Sequence, residues 1–189
     1  MKKSLTTALL TAALITTGFA NAADYTIDTK GAHASVNFKV SHLGYSFIQG
    51  RFNNFSGEFS YDANNIESAK VNVLIDTTSL DSNHAERDKH IKSSDFINAS
   101  KYSTAKFVST KVTQKSDGGI AISGDLTLHG VTKNITIDAN FIGEGSDPWG
   151  GYRAGFSGTT RLELADFGIK VMGASSYVDM QLEVEGIRK

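Results

Sequence analysis

Apolar and polar residues alternate along most of this chain with a period of two. Val36, Phe38 and Val40 are set against Ser35, Asn37, Lys39 and Ser41, and Phe55, Gly57, Phe59 and Tyr61 keep the same rhythm, as do Val71, Val73 and Ile75. Later runs are Ile120, Ile122, Gly124, Leu126 and Leu128, then Ile135, Ile137, Ala139 and Phe141, and finally Val178, Met180, Leu182 and Val184. Successive strand side chains point to opposite faces, so each run predicts a strand with one apolar and one polar side. Such strands belong to antiparallel sheets wetted on one face, whereas parallel strands buried on both faces would be apolar throughout. A doubly wound nucleotide-binding fold is therefore excluded.

Turn chemistry separates the runs: Asn53 with Asn54, Asp62 to Asn65, Asp117 to Gly119, His129 with Gly130, and Asp147 to Gly151. Eight to ten extended segments follow one another with no linker and no fixed-period repeat, which predicts one domain. One stretch breaks the alternation. Asn83 with Glu86 three residues on reads as a capping pair, and Ala85 to Lys92 as a short helix carrying Ile91 inward, with Phe96 and Ile97 packing beyond it. Many short amphipathic strands close as a barrel or stack as a sandwich. Strand glycines at Gly50, Gly57, Gly124, Gly155 and Gly158 suit sharp bends and favour the barrel.

The first residues belong to none of this. Met1, Lys2 and Lys3 form a basic start, Leu5 to Phe19 an apolar stretch diluted by threonine, and Ala20-Asn21-Ala22 a small-x-small cleavage pattern. Residues 1–22 thus read as a signal peptide, too short and too polar for a span of about 20 apolar residues. The mature domain would be residues 23–189, in the periplasm, with no membrane segment of its own. Losing Lys2 and Lys3 takes the formal net charge from -1 to -3. That balance argues against nucleic acid, whose phosphates call for surplus cations. The chain has no cysteine, which excludes disulfides, thiolate metal sites, cysteine nucleophiles and a lipid anchor on cysteine.

No catalytic constellation emerges. The histidines are His33, His42, His84, His90 and His129. His84 and His90 lie six apart, which turns them about 240° from each other on a helix and prevents a shared metal ion. His84 with Asp88, and Glu86 with His90, are read as surface pairs four apart. Ser103-Thr-Ala-Lys106 spells S-x-x-K, but the chemistry needs a helical turn and Phe107 and Val108 continue as strand. Gly155-Phe-Ser-Gly158 does not complete G-x-S-x-G. The expectation is a protein that is not an enzyme and has no cofactor or metal.

Several ordered segments carry a resemblance: Ala23-Asp-Tyr-Thr-Ile-Asp28, His42-Leu-Gly-Tyr-Ser46, Asn83-His-Ala-Glu-Arg-Asp-Lys-His90, Gly124-Asp-Leu-Thr-Leu-His-Gly-Val-Thr-Lys133 and Asp147-Pro-Trp-Gly-Gly-Tyr-Arg-Ala-Gly-Phe156. Nearly all of the mature chain resembles the YceI-like family of periplasmic polyisoprenoid-binding proteins. The resemblance implies an all-β fold, an antiparallel lipocalin-like β-barrel of about eight strands with one short helix. It also implies an apolar pore for a long isoprenoid lipid, such as a quinone tail or a polyprenyl phosphate. It transfers no individual contact residue.

Candidate ligand contacts come from strand parity instead. If the apolar faces turn into a closed barrel, then Phe38, Val40, Phe59, Val73, Ile75, Leu126, Ile137, Phe141, Phe156, Met180 and Leu182 face its interior, either lining a cavity or filling it as ordinary core. A filled barrel would point instead to a stress-related structural or interaction protein, and a lipid-modifying enzyme is a further alternative. Each five-carbon isoprene unit contributes about 4 kcal/mol gross at about 0.8 kcal/mol per buried CH₂, so four units reach about 16 kcal/mol before ordering costs. Tail burial alone would hold such a ligand. The headgroup needs only tolerance at the rim, where Lys133 and Arg153 are candidate phosphate partners and Tyr45, Trp149 and Tyr152 a candidate amphipathic border. The oligomeric state is left open.

Overall fold

The structure is a computed structural model describing residues 22–171 and 173–189, so the expected leader lies almost wholly outside the described residues. Eleven strand segments form a single antiparallel sheet: β1 (Ala23–Ile27), β2 (Ser35–His42), β3 (Ser46–Phe52), β4 (Phe55–Tyr61), β5 (Lys70–Asp76), β6 (Leu80–Asp81), β7 (Thr104–Gln114), β8 (Ile120–Leu128), β9 (Val131–Ser146), β10 (Tyr152–Glu163) and β11 (Tyr177–Arg188). The one helix, α1, spans Ala85–Lys92, as expected from the sequence.

Three pairs of consecutive segments act as bent single strands, which reconciles eleven segments with eight barrel staves. β1 and β2 lie along the same edge of β11, the first against Gly186–Arg188 and the second against Val178–Glu183. β4 pairs with β1 and β3 with β2, while β5 and β6 pair with β4 and β3. The bends fall at residues 28–34, at Asn53–Asn54, and at the 3-10 turn Thr77–Ser79, where the Asp76 carboxylate accepts the Thr78 N–H. β7 through β11 then follow as a meander, and β11 closes on β1. The result is a closed antiparallel eight-stranded barrel, and the sandwich alternative is set aside.

Aromatic rings fill one end. Tyr25 stacks on Phe59 at 4.9 Å between centroids, and Phe156 meets Phe59 and Tyr61 edge-on at 5.5 and 5.2 Å. Desolvation raises the Tyr25 and Tyr61 phenols above their ordinary value, so both enter this plug as neutral rings. At the other end, α1, residues 93–103 and the segment around the buried Phe167 and Ile169 cover the staves.

Two details differ from the sequence reading. The residue capping α1 is His84, whose Nδ1 accepts the Arg87 N–H at 3.3 Å, because Asn83 takes a left-handed conformation with φ of 61°. The strand glycines serve close approach as well as bending. A Cβ on Gly124 would lie 2.4 Å from Cζ of Phe107, and one on Gly50 would lie 2.3 Å from Cζ of Phe38. These glycines let neighbouring rings lie flat on the barrel wall.

Gly124→Ala is therefore expected to cost about 1–3 kcal/mol, the usual range for overpacking, and to lower the melting temperature by about 2–4 °C per kcal/mol. Thermal denaturation followed by circular dichroism checks it, and an unchanged midpoint would show that Phe107 moves aside freely.

Candidate functional site

The inward faces do not meet. They enclose a cavity of about 860 Å³ that runs through the barrel beneath α1. Ten of the eleven residues expected to face inward line it: Phe38, Val40, Phe59, Val73, Ile75, Leu126, Ile137, Phe156, Met180 and Leu182. Val40, Val73, Ile75, Phe156, Met180 and Leu182 keep part of their surface accessible although they point inward, which is the signature of a hollow and not of a packed core. The walls are aliphatic and aromatic, and no charged side chain lines the space away from the α1 end.

Phe141 is the exception and a correction. β8 begins at Ile120, opposite Ala139, so Phe141 lies past the last β8 pairing and beside an irregularity where Ile142 has no partner on β10. It shares a face with its register partner Phe156 but is 43% exposed, packing on Tyr61 and Phe156 at the end of the plug, beyond the cavity.

The mouth lies at the α1 end. Of the lining residues, the exposed ones are His42, Leu43, Glu86 and His90, at the end of β2, on the β2–β3 turn and on α1. Arg87 lines the same end but is held, its Nε donating to Ser82 Oγ at 2.8 Å and a terminal nitrogen to the Ser82 carbonyl. The expected surface pairs on α1 do not form. Asp88 instead accepts from the Ser82 N–H and hydroxyl, and His90 packs edge-on against Phe96 near Asp95. Sequence reasoning overlooked this mouth because its residues lie on a turn and a helix, outside any strand periodicity. It also left out Ile169 and Val171, which line the cavity from an irregular segment.

The five rim candidates do not gather there. Trp149, Tyr152 and Arg153 sit at the opposite, plugged end, Lys133 is exposed on the outer face of β9, and Tyr45, 89% exposed, stands on the β2–β3 turn without lining the cavity. Arg153 is already spent. Its Nε donates to Asp147 at 2.8 Å and one terminal nitrogen donates to Asp28 at 2.7 Å and to Glu185 at 2.5 Å. Residues 28 and 153 are remote in sequence, which is why the pairing could not be read there. Asp28 also accepts from the Gly31 N–H and contacts His33 Nδ1. Arg153, His33 and the Gly31 amide hold the buried Asp28 carboxyl well below the usual carboxylate range. Among the described residues, Asp28, His33 and Glu185 are the group whose donor atoms lie close enough for a metal ion, but the Arg153 guanidinium supplies the cation.

The short patterns dissolve in the same way. β7 starts at Thr104, so Ser103 and Lys106 do not share a helical turn. His129 hydrogen-bonds the Phe167 carbonyl at 3.0 Å and touches Tyr102, away from the other histidines.

The family model described as the YceI-like domain matches residues 25–186. This chain belongs to the YceI-like family. A UPF0312 protein of Vibrio vulnificus (strain YJ016) is 70% identical over 189 residues, covering all of both chains. The crystal structure of a Campylobacter jejuni YceI protein matches with a TM-score of 0.71 and 28% identity, over 80% of this chain and 91% of that one. A polyisoprenoid-binding domain from Saccharophagus degradans, implicated in plant cell wall breakdown, shares the fold, with a TM-score of 0.62 and 15% identity over 89% of this chain and all of that one.

The Asp28 cluster predicts a definite acid limb. A carboxyl whose folded-state pKa is depressed stabilises the fold above its unfolded value near 4, and that contribution is lost as pH falls through the lower folded value. The melting-temperature gap between the wild type and Asp28→Asn should be constant from about pH 5 to 7 and shrink below about pH 4. A gap independent of pH would remove the ionic role of Asp28.

Proposed function

We propose that this protein is a non-catalytic periplasmic carrier that holds a long isoprenoid lipid, of the quinone-tail or polyprenyl phosphate type, in its barrel. The observation that carries the reading is the apolar cavity of about 860 Å³ opening at one end. Its size falls within the range of small-molecule pockets, about 300–1,000 Å³. At about 30 Å³ per water-sized group, it accommodates roughly 30 carbons, or about six isoprene units. Membership of the YceI-like family supports the reading, as does the shared fold with a domain described as polyisoprenoid-binding. The leader pattern of residues 1–22 supports export.

The wall chemistry fits a chain that must bend. Phe38, Phe156 and Met180 present adaptable aromatic and thioether surface, while Val and Ile leave room between them. With no cation in the interior, the tail and not the headgroup supplies affinity, and a phosphate or quinone ring would rest at the mouth beside His42 and His90. The hollow disfavours the alternative of a solid structural barrel.

Protein purified from its native compartment, extracted into organic solvent and analysed by mass spectrometry, should release an isoprenoid lipid. Repeated absence of one, together with no uptake of added quinone or polyprenol, would overturn the assignment. Met180→Trp places an indole into the cavity and should weaken stoichiometric binding of an apolar fluorescent probe by about tenfold or more, equivalent to about 1.4 kcal/mol, while the fold is retained. Unaltered binding in a folded variant would locate the probe elsewhere.

A further inference from the structure

The β2–β3 hairpin beside the mouth breaks the rule that apolar side chains turn inward. Leu43 is 68% exposed, Tyr45 89% and Phe47 55%, the first two on the turn and Phe47 one residue into β3. Leu43 and Gly44 both have positive φ, 54° and 82°, and the Tyr45 N–H bonds the His42 carbonyl at 3.0 Å, so the tip is a two-residue turn of the type that favours Asn-Gly. A leucine is held there against its backbone preference and against its hydrophobicity.

The hairpin is also held in place. The Gly44 N–H donates to Ser41 Oγ at 3.2 Å, and the Ser175 hydroxyl donates to the Ser41 carbonyl at 2.6 Å. Leu43 lines the cavity and faces solvent at once, so apolar surface continues from the barrel interior to the outside at this point.

Charge points to the occupant. The outer face beside the tip carries Lys39, whose β11 neighbour Asp179 is already held by Arg161 through both carboxylate oxygens, while Arg51 lies at the far end of β3 opposite Asp81. The Lys39 ammonium lies 4.1 Å from the centre of the Phe47 ring, so the cation sits over the apolar patch. Apolar and aromatic tips beside lysine are the chemistry of an anionic lipid–water interface. The second exposed apolar patch, Phe141, Ile142 and Trp149 at the plugged end, also has a cation near it, the Arg153 guanidinium 5.6 Å from the Trp149 ring, but that cation is bound by Asp28, Asp147 and Glu185, and the patch has no link to the cavity.

We infer that the β2–β3 hairpin docks the barrel mouth onto an anionic lipid bilayer through Leu43, Tyr45 and Phe47, with Lys39 meeting the headgroups. Docking places the cavity opening against the phase in which an isoprenoid resides, and that use of the hairpin rests on the carrier reading above.

The test is flotation of the mature protein with vesicles of phosphatidylglycerol and phosphatidylethanolamine, compared with phosphatidylcholine alone. The wild type should float preferentially with the anionic vesicles. The triple variant Leu43→Asn, Tyr45→Ser, Phe47→Ser should bind them about tenfold more weakly or less. Asn suits the left-handed turn position, so the melting temperature of that variant should not fall on account of the tip. Lys39→Glu should remove the preference for anionic vesicles. No flotation of the wild type, or equal flotation of the triple variant, overturns the inference. So does hairpin-dependent dimerisation in sedimentation analysis without vesicle binding, the outcome expected if the open β3 edge pairs with a second copy. Isoprenoid uptake measured in detergent separates the two readings. Uptake without flotation removes docking alone, and flotation without uptake removes the carrier reading while docking stands.

Discussion

Three residue pairs close the barrel. Tyr25, Thr26 and Ile27 of β1 meet Arg188, Ile187 and Gly186 of β11, and without this seam the sheet would be an open ribbon whose apolar stripe had no common axis to face. The seam is secured from both sides. Inside, the Tyr25–Phe59 stack presses on Gly186, where a Cβ would lie 2.4 Å from a Phe59 ring carbon. Outside, Asp28, the residue after the last one of β1, is clamped by Arg153 to Glu185 and Asp147. The aromatic plug, the ion cluster and the closure are one device, and it sits at the end away from the mouth.

That placement explains why the barrel is hollow. Eight strands give an interior that side chains can either fill or leave able to hold one ligand, so the outcome depends on where the large residues sit. Here the rings of Tyr25, Phe59, Tyr61 and Phe156 are concentrated at the closed end. Further along, the inward positions of β5 are Val71, Val73 and Ile75, which are too short to reach across. The ladder that runs from β4 through β5 and β7 to β11 and β1 holds these walls apart, so they do not collapse to close the gap.

The same distribution decides what was legible in the sequence. Period-two alternation is set by backbone geometry, so inward and outward faces could be read residue by residue, whereas parity could not tell that Phe141, on the same face as Phe156, lies beyond the end of the cavity where β9 outruns β8. Hollow against filled could not be read, because that depends on the distances between faces and not on parity. Arg153 was misread because its partners are separated in sequence by as much as the span from residue 28 to residue 153. The mouth was hidden for a different reason. His42, Leu43, Glu86 and His90 are brought together by a turn and a helix whose docking no local pattern encodes. The segment His42-Leu-Gly-Tyr-Ser46 carries a physical signal besides its resemblance and its tyrosine, a leucine in a turn suited to asparagine.

Apolar space between protein walls is costly unless an occupant fills it. Cavities left by truncated core residues cost about 2 kcal/mol per 100 Å³, and whole domains are stable by only about 5–15 kcal/mol. A space of about 860 Å³ is therefore a large concession, and nothing in barrel geometry requires it, since an inward Phe in place of Val73 or Val40 would begin to fill it. A hydrocarbon occupant restores the missing contacts along the full length of the wall, and by mass action it stabilises the barrel that binds it. An occupant so apolar does not cross water readily, and the route into the barrel has to begin where apolar surface reaches the outside. In this structure that place is Leu43, which lines the cavity and stands exposed on the hairpin, so the hollow and the turn with its left-handed leucine meet at one point of the surface.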